Sequence, residues 1–204
     1  MSKHLVVGLI LLALMSVPSY ACANLLSNPG FESDFANWDQ WNSSSAVIND
    51  WGHSGLKAAS GWWATSGWQH VTLSNPSVPH TIGGWVYDDV AGGESLRNGV
   101  YALIRVEFKN ASDIIRGTWS TGNLTGGDLI DDVWNNMTAL VTPSSYGGDV
   151  TKATLVWEVN NSGSGDGRGI FDDMIVEPIP EPMSLLLLGS GLVGLLAFRK
   201  RMIK

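Results

Sequence analysis

Cysteine is almost absent from this 204-residue chain, which has one thiol, Cys22. That excludes an internal disulfide, a multi-cysteine metal site and, beyond residue 22, a thiol nucleophile. Positive charge is also scarce, with 12 Lys and Arg against 19 Asp and Glu. Five of the basic residues (Lys3, Arg199, Lys200, Arg201, Lys204) lie at the chain ends, whereas every acidic residue falls between Asn24 and Glu181. The central region therefore carries a formal charge near −12, which speaks against nucleic acid and for neutral polymers or divalent cations. No uninterrupted apolar run reaches the roughly 20 residues of an ordinary membrane-spanning helix. His53, His70 and His80 do not fall at metal-ligand spacing, and no Gly-x-Ser-x-Gly elbow is present.

What is present begins with the two ends. Lys3 and His4 precede an apolar stretch from Leu5 to Met15, and Tyr20-Ala21-Cys22-Ala23 supplies small residues before a cut. This is the layout of a secretory signal, so residues 1–23 are expected to be removed by signal peptidase, leaving Asn24 first. A lipidated Cys22 is the alternative, but it meets Ser19 and Tyr20 where that signal prefers Leu and a small residue. At the other end Pro180-Glu181-Pro182 leads into an apolar run, Met183 to Phe198, and a basic cluster, Arg199, Lys200, Arg201 and Lys204. The run is 16 residues long and contains Gly189, Gly191 and Gly194. The basic cluster would stay cytoplasmic and hold the preceding domain outside, anchored in the inner membrane through this helix.

Those three features in that order resemble the PEP-CTERM sorting signal, placed here at 179–204. The resemblance implies an exosortase that processes the tail near the motif, in bacteria that make exopolysaccharide. It also implies a final address at the cell surface or in the extracellular matrix. An ordinary tail anchor behind Pro-Glu-Pro is the alternative.

Residues 24–178 are one domain's worth of chain. Helical periodicity is hard to find there, and alternation is frequent. Ala102, Ile104, Val106 and Phe108 form one face against Tyr101, Leu103, Arg105, Glu107 and Lys109. Ala153, Leu155, Trp157 and Val159 do the same against Thr154, Val156, Glu158 and Asn160. A further segment sets Trp85 and Tyr87 opposite Ile82, Gly84 and Val86, and the last strand is expected over Ile170 to Val176. Asn75-Pro76, Gly92-Gly93, Gly126-Gly127 and Gly147-Gly148 mark turns. Many short strands at this spacing predict an all-β fold, a two-sheet sandwich or jelly roll.

The opening Asn24-Leu25-Leu26-Ser27-Asn28-Pro29-Gly30-Phe31-Glu32 and the closing Gly169-Ile170-Phe171-Asp172-Asp173-Met174-Ile175-Val176 sharpen this. With His53-Ser54-Gly55-Leu56-Lys57-Ala58, Trp68-Gln69-His70-Val71 and Thr81-Ile82-Gly83-Gly84-Trp85-Val86 between them, they resemble the jelly-roll carbohydrate-binding modules of glycanases, within the galactose-binding-like group. The resemblance implies that the first and last strands lie side by side, joined by a structural calcium on the Glu32 and Asp172 carboxylates and carbonyls such as that of Gly30. Calcium accepts such mixed oxygen ligands in irregular geometry. Alternation would place Asp172 on the core side with Met174 and Val176, where a carboxylate needs a cation or hydrogen bonds, and Asp173 outside. The alternative is that Asp172 merely accepts backbone amides and Glu32 is solvated. Asp88-Asp89 and Asp131-Asp132 are read as solvated turns.

All ten Trp lie between Asn24 and Glu181. Rigid aromatic rings stack on the apolar faces of sugars while Gln, Asn, Arg or acidic groups bond the hydroxyls. Trp63, Trp68, Gln69, Trp85 and Tyr87 are the expected carbohydrate contacts. Trp134 and Trp157 are read as core, and Trp38 and Trp41 as packing the opening loop. The function expected is a non-catalytic, exported protein that binds polysaccharide, with the cell's own exopolysaccharide as partner. Two alternatives stand: a structural matrix or adhesion protein without a defined sugar site, and a small polysaccharide-acting hydrolase. The hydrolase would need two carboxylates facing one cleft, and no spacing in the sequence defines such a pair.

Overall fold

The computed structural model describes residues 23–96, 99–161 and 167–179. Ala23–Ile179 forms one compact unit, and the two terminal segments lie outside the described residues. The expected signal peptide and the apolar run at 183–198 therefore lie there too. Among the described residues no helix is long and apolar enough to cross a membrane.

Eleven strands follow one another in the described chain: β1 Asp39–Trp41, β2 Ala46–Asn49, β3 Ala58–Trp62, β4 Thr65–Thr72, β5 His80–Tyr87, β6 Val100–Asn110, β7 Ile115–Ser120, β8 Trp134–Asn136, β9 Ala139–Val141, β10 Val150–Asn161 and β11 Arg168–Pro178. They form two antiparallel sheets. The first has the order β1-β4-β10-β6-β7, and the second β2-β3-β11-β5-β8, with β9 also pairing β5. The protein is an all-β sandwich of jelly-roll type. Its helical content among the described residues is two short 3-10 turns, Ser43–Ser45 and Pro143–Tyr146.

The alternating faces close the core as expected. Ala102, Ile104, Val106 and Phe108 of β6 and Ala153, Leu155, Trp157 and Val159 of β10 are fully buried. They meet Ile82 and Val86 of β5 and Phe171, Met174 and Val176 of β11 from the opposite sheet. Before β1 the chain runs beside the last strand: Leu25 N–H donates to Val176 O at 2.8 Å and Met174 N–H to Pro29 O at 3.0 Å. Asn24 bridges the same strand through its side chain, donating to Met174 O and accepting from Val176 N–H.

Three expectations need correction. Asp172 is fully buried, but not on the core side. The β5–β11 register shifts between Asp172 and Ile175, and Asp173 adopts a left-handed φ of 45°. This bulge inserts one residue into the alternation. Phe171 and Met174 can then both face the core, while Asp172, opposite Trp85, faces the outer side of the second sheet. Trp134 is not core either: it lies in an aromatic cluster on that same outer side, with Trp51 and Tyr87. Asp88 is fully buried, its carboxylate accepting from Leu96 N–H at 2.7 Å and from Ser95 Oγ at 3.1 Å. Asp89 is paired with Arg168 at 2.6 Å.

The Trp157 ring lies against β4 because its partner position there is a glycine. A Cβ on Gly67 would stand 2.5 Å from Trp157 Nε1, inside the ring of a fully buried residue. Gly67→Ala is therefore expected to destabilise the domain by about 1–3 kcal/mol through overpacking, measured as a lower urea midpoint at unchanged slope.

Candidate functional site

The outer face of the first sheet is built by the residues that alternate with the core. Asp39 pairs with Trp68, Trp68 with Val156, Val156 with Arg105, and Arg105 with Ser120, giving one row across all five strands. The adjacent row runs Trp41, Ser66, Glu158, Leu103. Beyond it Asn160 pairs with Tyr101. The floor is apolar, since Val156 and Leu103 are buried. Trp68 is half-buried and Trp41 exposed on one flank, with half-buried Tyr101 on the other.

The polar groups of this face hold one another. The Arg105 guanidinium donates to Glu158 Oε2 and, at 3.3 Å, to Glu107 Oε1. Lys109 meets Glu107 at 2.9 Å and donates to Thr154 Oγ1 at 3.0 Å, and His70 Nδ1 lies 2.8 Å from the same hydroxyl. Asn160 donates to Glu158 Oε1 at 3.1 Å. Two cations and two carboxylates thus form a neutralised network beside the aromatic rings. Such pre-set donors and acceptors next to flat apolar rings suit a ligand rich in hydroxyls.

The outer face of the second sheet is different. Trp51, Tyr87 and Trp134 pack as a triangle with ring centroids 4.9, 5.4 and 5.8 Å apart, while His53 stacks on Trp85 at 3.9 Å. At those separations the rings fill one another's contacts and leave no slot for a further ring among them. The cluster clamps the 50–57 loop onto the sheet. Burial, with the nearby Asp132 and Asp89 carboxylates, pushes the Tyr87 phenol above its ordinary range.

Carboxylates grip the same loop from below. Asp172 Oδ2 accepts from His53 N–H at 2.7 Å and Ser54 N–H at 3.2 Å, and Oδ1 accepts from Asp173 N–H at 2.7 Å. Burial still raises its pKa to about 6. Glu32 Oε1 accepts from Leu56 N–H at 2.9 Å and Lys57 N–H at 3.0 Å. Asp173 takes His53 Nδ1 at 2.7 Å and the Ser54 hydroxyl at 2.6 Å. Gly52 leaves room here: a Cβ on it would fall against the Lys57 carbonyl oxygen, 2.7 Å from Asp172 Oδ2 and 2.9 Å from the Ser54 carbonyl oxygen. A Cβ on Gly30 would stand 3.4 Å from an oxygen of each of Asp172 and Asp173. Among the described residues no three His, Cys, Asp or Glu side chains cluster as a metal site. Around the Gly52 position the oxygens are one from the Asp172 carboxylate and those of the Lys57 and Ser54 carbonyls.

The five expected sugar contacts do not converge. Trp68 lies on the outer face of the first sheet, whereas Trp85 and Tyr87 lie on that of the second, under the 50–57 loop. Gln69 points inward, its amide committed to Ser27: it accepts from Ser27 N–H at 2.7 Å and donates to Ser27 O at 2.8 Å. Trp63 sits at the β3–β4 corner, 54% exposed. Sequence reasoning missed that Trp41, Tyr101, Arg105, Glu158 and Asn160 share one outer face with Trp68. Alternation had already put the last four off the core faces, but strand order was needed to bring them together.

Comparisons with known proteins follow this geometry. Residues 178–201 match the PEP-CTERM protein-sorting motif. No curated protein matches the chain. Among solved structures, the fold is shared with the carbohydrate-binding module TmCBM61, solved in complex with β-1,4-galactotriose: TM-score 0.51, 19% identity, 77% of this chain and 99% of that one. It is shared with a cyclase from Fischerella sp. TAU: TM-score 0.54, 10% identity, 78% and 98%. It also recurs in the enzymatically active domain of tailspike protein 4 of bacteriophage CBA120: TM-score 0.58, 12% identity, 76% of this chain but 21% of that one. The chain is thus an exported protein with a C-terminal PEP-CTERM sorting signal, carrying a jelly-roll β-sandwich of the architecture found in carbohydrate-binding modules.

Proposed function

We propose that the domain is a non-catalytic polysaccharide-binding module that holds exopolysaccharide at the cell surface. The observation that carries this reading is the outer face of the first sheet, where Trp68, Trp41 and Tyr101 flank an apolar floor beside a neutralised network of Arg105, Glu107, Lys109 and Glu158. Aromatic rings supply stacking area for pyranose faces, and the fixed side chains supply directed bonds to hydroxyls. The hydrolase reading needs one free carboxyl acid and one free carboxylate across a cleft. On this face Glu107 and Glu158 are both engaged by the same guanidinium, which favours binding over cleavage. A net-acidic domain also disfavours polyanionic ligands.

The module is stiffened, in this proposal, by a calcium ion held by Glu32, Asp172 and carbonyls of the 50–57 loop, with that of Gly30 as a further candidate. The gap left by Gly52 between the Lys57 and Ser54 carbonyls and the Asp172 carboxylate supports it. Bound there, the ion would supply charge compensation for a buried carboxylate and tie the loop to both chain ends.

Two outcomes are expected. In native gels cast with β-1,4-galactan, xylan or the producing cells' exopolysaccharide, the 23–179 domain should be retarded by at least one polymer. Trp68→Ala should abolish that retardation without changing the melting temperature by more than a few degrees. Failure of every polymer to retard the wild type would turn the reading toward a matrix protein without a sugar site. The second outcome concerns stability. Because the folded-state pKa of Asp172 lies above 3.8, the folded state binds the extra proton between about pH 4 and pH 6. Its contribution to stability therefore falls as pH rises through that window, by on the order of 2–3 kcal/mol. In chelator, wild type should lose ground to Asp172→Asn from about pH 4 to pH 7. Millimolar calcium at neutral pH should restore the wild type and leave Asp172→Asn unmoved.

A further inference from the structure

Trp63 combines two properties that proteins normally avoid in a tryptophan. Its φ is 55°, a left-handed conformation that bulky L-residues seldom adopt, and the residue is 54% exposed. Its neighbour Trp62 is half-buried and covered by the Arg168 guanidinium, 5.1 Å from the ring centroid. Nearby, Trp41 is 56% exposed. Among the described residues Trp41, Trp63 and Trp68 make no ring–ring contact, unlike the packed rings on the second sheet.

The corner that presents Trp63 and Trp41 is tied down. Thr65 Oγ1 donates to Trp41 O at 3.0 Å and Asn42 O at 3.1 Å. Asn42, itself left-handed with a φ of 54°, donates to Ala64 O at 2.7 Å and Ser45 Oγ at 3.1 Å. Backbone strain held in place by such bonds, with the ring left unpacked, points to function. Register sets part of the order: Trp41 lies level with Ser66, two residues from Trp68, and Trp63 stands outside β4, in the connection that enters it from β3 of the other sheet, three residues of chain from Ser66. The first step is about 7 Å along β4, and the second is at most about 10 Å of chain. A single sugar ring cannot cover that span.

We infer that the ligand is an internal stretch of an extended polysaccharide that runs along β4 and over the β3–β4 corner, with Trp68, Trp41 and Trp63 as successive stacking platforms and Trp63 as the outermost subsite. The inference rests on the polysaccharide reading above. Glu158, opposite Ser66, and Asn160, bonded to it, flank the middle of this row. A module built this way binds longer chains more tightly and gains nothing from a free chain end.

The experiment is calorimetric titration with size-fractionated oligosaccharides, about two to eight residues long, prepared from β-1,4-galactan, xylan and the producing cells' polysaccharide. Wild type should tighten with length until the row is filled. Trp63→Gly places at φ 55° the residue best suited to it, so its melting temperature should be unchanged or higher. Its affinity for the longest fraction should fall about tenfold, with the shortest binding fraction unaffected. Equal affinity of wild type and Trp63→Gly for every length would overturn the inference while leaving the polysaccharide reading intact. A marked drop in melting temperature would also overturn it, by making Trp63 a packing residue. Absence of wild-type binding to all fractions and their parent polymers would remove the polysaccharide reading and this inference together.

Discussion

The buried carboxylate of Asp172 is the constraint around which the second sheet is arranged. It faces away from the core because the bulge at Asp173 shifts β11 by one residue. It then needs partners, and finds them in backbone N–H groups of His53, Ser54 and Asp173. These bonds and those of Glu32 draw the 50–57 loop onto the sheet, where Trp51 and His53 pack against Trp85, Tyr87 and Trp134. A buried anion satisfied by loop amides places an otherwise free segment with little choice of position. Asn24, Leu25 and Pro29 pair with the same strand beyond the bulge, which joins the start of the domain to its end.

The two outer faces thus divide the aromatic residues by task. On the second sheet the rings pack on one another and hold a loop, as a small satellite core. On the first sheet the rings stand apart, beside a polar network that is already satisfied and needs no reorganisation to present its oxygens and nitrogens. Pre-set polar groups lower the ordering cost of binding. That contrast, and not the number of tryptophans, is what the proposed polysaccharide site rests on.

Much of the sandwich was legible in the sequence. In β6 and β10 the alternation is long and unbroken, so the core residues from Ala102 to Phe108 and from Ala153 to Val159 could be read directly. The side of Asp172 could not, because a one-residue bulge leaves no mark in an apolar pattern and reverses the parity of everything beyond it. Trp85 and Tyr87 were rightly placed opposite Ile82 and Val86, but their cover, the 50–57 loop, is a tertiary contact that no local pattern encodes. Gln69 illustrates the same limit. Its neighbour Trp68 faces out, so Gln69 must face in, where its amide matches the Ser27 backbone. Trp41 looked like loop packing because β1 is three residues long, too short for alternation to register, and only pairing with β4 shows it beside Trp68.

The central claim is that the first sheet's outer face, not the second's, takes polysaccharide. The most direct test is a heteronuclear NMR titration of the 23–179 domain, following its ten tryptophan indole N–H signals. The account predicts that a soluble polysaccharide shifts the signals of Trp68, Trp41 and Trp63 and leaves those of Trp51, Trp85 and Trp134 in place. Shifts confined to Trp51, Trp85 and Trp134 would contradict it.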